Sequence, residues 1–409
     1  TFPSGVNREL ARDYHRGVTE RGVLALTEAA AAGHPLAADT RDLLARSLDA
    51  AAAVLDVTGA PPRQGDGDEG RALVVEDPAE DPWAVLLACG AGTLGACDWW
   101  PTTRPGVAST LIRSLWAAGS VESTGSVVCA RIPRPLSPPR SFTDAGIHLL
   151  RTARGQGPEI WCRCDSGPHG FLSIAAHAHA DALSVEVRHD GVELLVDPGT
   201  YCYHGEPEWR DYFRSTRAHN TIEVDGADQA LQSGPFLWGT RADAVVDSVV
   251  TRPDGVQTWA AHHTAYARLD PALRHDRRVD LDGPGRRLTV TDTVTGTQEH
   301  RVRLSWHLGP DVTAELRDGV ADLSWPGRDG QVQQGRLVLP PALEWSAHRG
   351  ESDPPLGWHS PRFGVRVPTT TLVGAGSCAG TLELRTALDL LPDAVTAAPA
   401  SRTHLGEES

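Results

Sequence analysis

The chain has 409 residues, a formal net charge of −15, and neither Lys nor Met. Its length suits two domains, and its acidic balance argues against the basic face that a nucleic-acid partner needs. No uncharged apolar run of about 18 residues marks a membrane span, and the seven Cys, with no C-x-x-C pair, read as small buried hydrophobes rather than a zinc ribbon.

The first third reads as helical. Residues 8–32 place Leu10, Tyr14, Val18, Leu24 and Leu26 at roughly helical spacing among alanines. Residues 36–57 repeat the pattern with Leu43, Leu44, Leu48, Val54 and Leu55, and end at Gly59, Pro61 and Pro62. "DPWAVLLACGAGTLGA" and "GVASTLIRSLWAAG" are two further helices. Short loops between them favour antiparallel neighbours. The prolines of "ARIPRPLSPPRSF", residues 130–142, cannot occupy a helix interior and mark a boundary. Beyond it, β-branched runs alternate with Gly, Pro and Asp turns, among them "GIHLLRT", "EIWCRCDSG", "LSVEVRHDGVELLVD", "RRLTVTDTV" and "HRVRLSWHLG". That rhythm predicts a large antiparallel β-sandwich. The last residues are small and polar, as in a frayed tail.

One stretch stands out, "AAHAHADALSVEVRHDGVELLVDPGTY". Read as a strand, it puts His177, His179 and Asp181 on one face. Asp190-Gly191 makes a hairpin turn. With a two-residue turn, Val187 opposes Leu194, and Asp197 then faces away from His179. One extra residue has to be absorbed to reverse this, by a longer turn with Gly191 left-handed or by a bulge near Pro198.

The run from His177 through "EWRDYFRSTRAHNTIEVDGADQ" strongly resembles the heparinase II/III-like family of polysaccharide lyases. The likeness is dense over about residues 145–240. It recurs in "SGVNRELARDYHRGV" and "GDGDEGR" and thins beyond residue 250. The resemblance implies an α/α toroid followed by a β-sandwich. The expected organisation is therefore a toroid fragment over residues 1–125, a Pro-rich linker over 126–145, a sandwich over 146–390, and a disordered tail over 391–409. The family's toroid has more helices than this chain supplies, so only its C-terminal helices are expected here.

The resemblance also implies site residues. Tyr14 and His177 would be catalytic. His179, Asp197 and His219 would bind a divalent metal, usually zinc, a set of two imidazoles and a carboxylate that suits that ion. Arg210, Tyr212 and Arg214 would hold an acidic sugar, since an Arg fork clamps a carboxylate, and Asn7 could replace an amide from the missing helices. Asp66, Asp68 and Glu69 of "GDGDEGR" read as a capped turn, too compact for a calcium loop. The expected reaction is β-elimination on a uronate glycan, and that substrate class favours a secreted or periplasmic protein. Competing readings are a non-catalytic carbohydrate-binding protein and a glycoside hydrolase. The latter needs two carboxylates across a cleft, and no such pair stands out near the histidines.

Overall fold

The computed structural model describes residues 1–75, 80–121, 134–153, 155, 157–270 and 272–390. The expected tail and the first part of the expected linker, residues 126–133, lie outside them.

Four helices come first: α1 Arg12–Ala31, α2 Ala38–Ala53, α3 Pro82–Leu94 and α4 Val107–Val121. α3 begins where Asp81 accepts from the backbone N–H groups of Trp83 and Ala84, with Pro82 in the first turn. α1 packs a different face from the one its apolar residues suggest. Val18 is exposed and Leu10 precedes the helix, while His15, Arg16, Thr19 and Glu20 are buried with Val23 and Leu26. Much of this polar face is paired internally. Arg16 pairs with Glu20 at 2.7 Å, Asn7 N–H donates to His15 Nδ1 at 3.1 Å, and His15 Nε2–H donates to Ser47 O at 3.1 Å.

A five-stranded antiparallel sheet follows, in the order β1 Ser141–Phe142, β2 Ile147–Arg151, β3 Ile160–Asp165, β4 Val185–His189 and β5 Val192–Leu195. It is buried on both faces. Ile147, Leu149 and Trp161 meet Ala50, Ala53 and Val54 at the end of α2. Leu150, Ile160, Cys162 and Cys164 meet Trp259, Val279 and Leu281 of a second, ten-stranded sheet. Alternation along β2 and β3 thus serves two cores. Cys162 and Cys164 share a face and are free thiols 3.8 Å apart.

The larger sheet is built on two paired 21-residue strands, Arg287–His307 and Thr370–Leu390. The runs "RRLTVTDTV" and "HRVRLSWHLG", which look like two strands in sequence, are one strand with an irregularity between Thr295 and Glu299. The chain is thus a mixed α and β protein in which antiparallel sheet dominates. Among the described residues no helix is long and apolar enough to cross a membrane.

The buried imidazoles should make the fold acid-sensitive. Burial pushes His15 down to about 3 and His148 down to about 4, from 6.5. Such a ring takes up a proton only on unfolding. Its contribution is therefore complete above pH 6.5 and is lost as pH falls toward the folded value. Urea unfolding across this window should show stability falling by up to about 1.4 kcal/mol per pH unit for each such ring. A flat profile from pH 7 to 4 would contradict that assignment.

Candidate active site and metal centre

The site forms where the loop after α2 threads between α1 and the five-stranded sheet. Leu10, at φ 53°, turns the chain into α1, and Arg12 N–H donates to Gln64 O at 3.1 Å. Gly65 lies at φ +58°, and a Cβ there would come within 2.6 Å of the His177 carbonyl oxygen and 2.9 Å of that of Leu10. Only glycine allows this double approach. The next residue, Asp66, donates its N–H to His177 O at 3.0 Å and turns its carboxylate inward.

His177 stands on a turn and His179 in the irregular segment that follows it, both ahead of β4 and neither on a strand. Left-handed residues bracket them, Ala175 at φ 50° and Leu183 at φ 63°. Both rings reach the same carboxylate even so. His177 Nδ1–H donates to Asp66 Oδ2 at 3.3 Å, and His179 Nε2–H donates to Asp66 Oδ1 at 3.1 Å. Asp181 does not join them. Burial, with Asp165 and Asp197 nearby, pushes its carboxyl well above the usual range.

Tyr14, on the first turn of α1, stacks on His177 with ring centroids 4.0 Å apart. Its hydroxyl donates to Asp68 Oδ2 at 3.3 Å and accepts from Tyr203 at 3.1 Å. Burial, aided by Asp68 and Asp66, pushes the phenol up to about 12 despite the hydrogen bond from Tyr203. Glu9 Oε2 lies 4.0 Å from His177 Nε2, the ring nitrogen that Asp66 leaves free. Phe236 closes edge-on against both His177 and Tyr203.

His179, Asp197 and His219 converge behind this layer, with ligand atoms within 4.8 Å of one another and all three residues buried. The hairpin register explains how Asp197 arrives. Asp190-Gly191 is a two-residue turn, but Val187 pairs with Leu195 while Arg188 pairs with Glu193. The bulge at Leu194 absorbs the extra residue, within the hairpin rather than at Pro198, and brings Asp197 round to the His179 side.

The donor set fits a divalent cation. His219 Nδ1–H is spent on Ser215 O at 2.8 Å, and His179 Nε2–H on Asp66. The remaining nitrogens, His179 Nδ1 and His219 Nε2, face each other at 3.3 Å with bare lone pairs. Burial pushes His219 down to about 4, which favours the neutral ring that a metal ligand needs. Asp197 Oδ1 accepts from Gly199 N–H, while its buried Oδ2, 3.5 Å from His219 Nε2, has no partner among the described residues. Two lone pairs and an orphan carboxylate oxygen suit a zinc-type ion.

The four expected substrate contacts are placed differently. Arg210 is buried, holds Asp66 with both Nη atoms, and donates to Pro235 O. Arg214 is buried over Trp238 and donates to Gly234 O at 2.9 Å. Tyr212 packs in an aromatic cluster with Trp209 and Phe213. These side chains share a short helix, α5 Pro207–Arg214, whose aromatic and Arg face turns into the protein. Asn7 is buried, and its backbone N–H is held by His15. In their place the structure assembles Asp66, Asp68, Tyr203 and Phe236. The motif "GDGDEGR" was a usable signal for the first two. Tyr203 and Phe236 lie within the stretch of dense likeness, but no role was expected of either.

A cavity of about 830 Å³ lies beside the site and is bordered by Asp66, Gly67 and Phe363. Neither Tyr14 nor His177 lines it, so the site is defined by the ring contacts and hydrogen bonds above.

A family model described as heparinase II/III-like, C-terminal, matches residues 134–387. Among solved structures, a heparinase III superposes with a TM-score of 0.68 at 16% identity, covering 96% of this chain and 53% of its own. Heparan sulfate lyase HepC from Pedobacter heparinus gives 0.67 at 16% identity, covering 95% and 53%. A further heparinase III structure gives 0.64 at 14% identity, covering 95% and 55%. No curated protein sequence matches the chain. The chain spans about half the length of these structures, and at such identity the likeness is one of fold.

Proposed function

Because this chain belongs to the family with the heparinase II/III-like C-terminal domain, we propose that it carries the sandwich side and part of the helical side of a polysaccharide lyase. The substrate would be a uronate glycan, cut by β-elimination. On this reading α1–α4 are the closing helices of a toroid. The observation that carries it is the 4.0 Å stack of the α1 phenol on the imidazole of His177.

The chemical problem is the proton on C5 of the uronate. Asp66 holds His177 Nδ1–H, so Nε2 is the nitrogen free to accept that proton. Tyr14 stays a phenol because its pKa is held high, which suits it to donate to the C4 oxygen as that bond breaks. Tyr203, in contact with Tyr14, can return a proton to it. The C5–H electrons become the 4,5-double bond, and the C4–O electrons leave with the Tyr14 proton. His179, Asp197 and His219 would hold a zinc-type ion, which would brace the sheet side of the site.

The direct test is ultraviolet absorbance of the 4,5-unsaturated product on incubation with alginate, heparan, chondroitin, hyaluronan and glucuronan. A rise with any one supports the reading; silence from the full-length protein on all of them overturns it. One observation favours the alternative of a non-catalytic carbohydrate-binding protein. Among the described residues, the partners of Tyr14 and His177 are phenols, carboxylates and Phe236, with no cation to neutralise a uronate.

A further inference from the structure

We propose that Asp66 is a positioning residue that couples the metal centre to the catalytic imidazole, so that metal occupancy sets the orientation of His177. The coupling deepens the lyase reading and rests on it for the role of His177.

Asp66 is buried and its two oxygens are divided. Oδ1 takes His179 Nε2–H at 3.1 Å and Arg210 Nη1–H; Oδ2 takes His177 Nδ1–H at 3.3 Å and Arg210 Nη2–H at 2.7 Å. Burial alone would raise this carboxyl, but the hydrogen bonds from His177, His179 and Arg210 outweigh it and hold it far below the usual range. The carboxylate plane is held by the Arg210 fork. Arg210 is anchored in turn on Pro235 O at 3.1 and 2.8 Å and packed between Tyr203 and Phe236, at 5.2 and 5.3 Å from their centroids. The carboxylate cannot follow a movement of His179 without tilting against His177. An ion that pulls on His179 Nδ1 therefore acts on His177 through one planar group.

Asp66 also belongs to the loop after α2, whereas both imidazoles precede β4. It ties the layer carrying Tyr14 to the layer carrying His177. A carboxylate behind a ligating imidazole fixes its tautomer and strengthens its donor nitrogen. Here the same carboxylate fixes a second imidazole that binds no ion.

The test is zinc binding by the chain, read by chelator competition, together with nitrogen NMR of its histidine rings. Asp66→Asn leaves one acceptor oxygen and puts an N–H against one imidazole N–H. Zinc affinity is expected to fall about 10- to 100-fold. In the wild-type chain zinc should shift the ring resonances of His177, and in Asp66→Asn saturating zinc should not. Should Asp66→Asn fail to fold, Arg210→Lys keeps the charge but loses the fork. It should weaken zinc binding and reduce the His177 shift. His177 resonances that ignore zinc in the wild-type chain, or unchanged zinc affinity in the folded variant, would overturn the coupling. Neither readout uses a glycan. A chain that shows the coupling but cleaves nothing would sink only the lyase assignment.

Discussion

If the lyase proposal holds, Tyr14→Phe should lower kcat for glycan cleavage by about 10²- to 10⁴-fold, the usual worth of a positioned acid or base, while KM stays near its wild-type value. The substitution removes one oxygen and keeps the ring, so the 4.0 Å stack on His177 survives. It deletes the proton donor facing Asp68 and leaves Tyr203 without its acceptor. A thermal melt should be nearly unchanged, because the hydroxyl's partners are exposed or half-buried. The pH profile carries a second expectation. The phenol is held at about 12, so ionisation of Tyr14 cannot remove activity as pH rises from about 7 to 9. A Tyr14→Phe enzyme with wild-type kcat would remove the phenol from the mechanism. It would leave the metal centre and the fold untouched.

Asp197→Asn should invert the usual order of stabilities. With zinc present, the wild-type chain should be the more stable. A ligand at 100 times its Kd adds about 2.7 kcal/mol, and the variant lacks a ligand oxygen. With zinc stripped by a chelator, the variant should be the more stable. The wild-type chain then buries an orphan carboxylate oxygen 3.5 Å from a bare imidazole nitrogen. The Asn amide would donate an N–H to that nitrogen while its oxygen still accepts from Gly199 N–H. Relief of one unsatisfied buried group is worth about 1–3 kcal/mol. Thermal melts of both chains, each with zinc and with chelator, give the four values needed. If chelator leaves the wild-type melt unmoved, His179, Asp197 and His219 do not form a metal site in solution.

Much of the site was legible because its residues lie in short, dense motifs. Tyr14, His177, His179, Asp197 and His219 could all be singled out from one sequence, and the structure brings Tyr14 to His177 and the other three together. The arginines misled. A run such as "EWRDYFRSTR" shows three cations, but sequence cannot say which face of an eight-residue helix turns inward. Arg210 and Arg214 read as a clamp for an acidic sugar; Arg210 is held on Asp66, and Arg214 lies buried over Trp238 with one donor on Gly234. Asp66 was underrated for the converse reason. A carboxylate in a Gly-rich loop looks like turn chemistry until something 111 residues away in the chain donates to it.

What the sequence alone determined was periodic and local: helices before residue 125, a β-rich remainder, and a tight Asp190-Gly191 turn. These follow from backbone preference and side-chain alternation, which act over a few residues. Tertiary structure alone decided the bulge that turns Asp197 toward His179, the polar face that α1 buries, and the choice of Asp66 as the carboxylate shared by two imidazoles. Each of these depends on which buried group finds which partner, and the decisive pairs, His15 with Ser47 and Asp66 with His177 and His179, lie from about thirty to more than a hundred residues apart and meet only after the layers have packed.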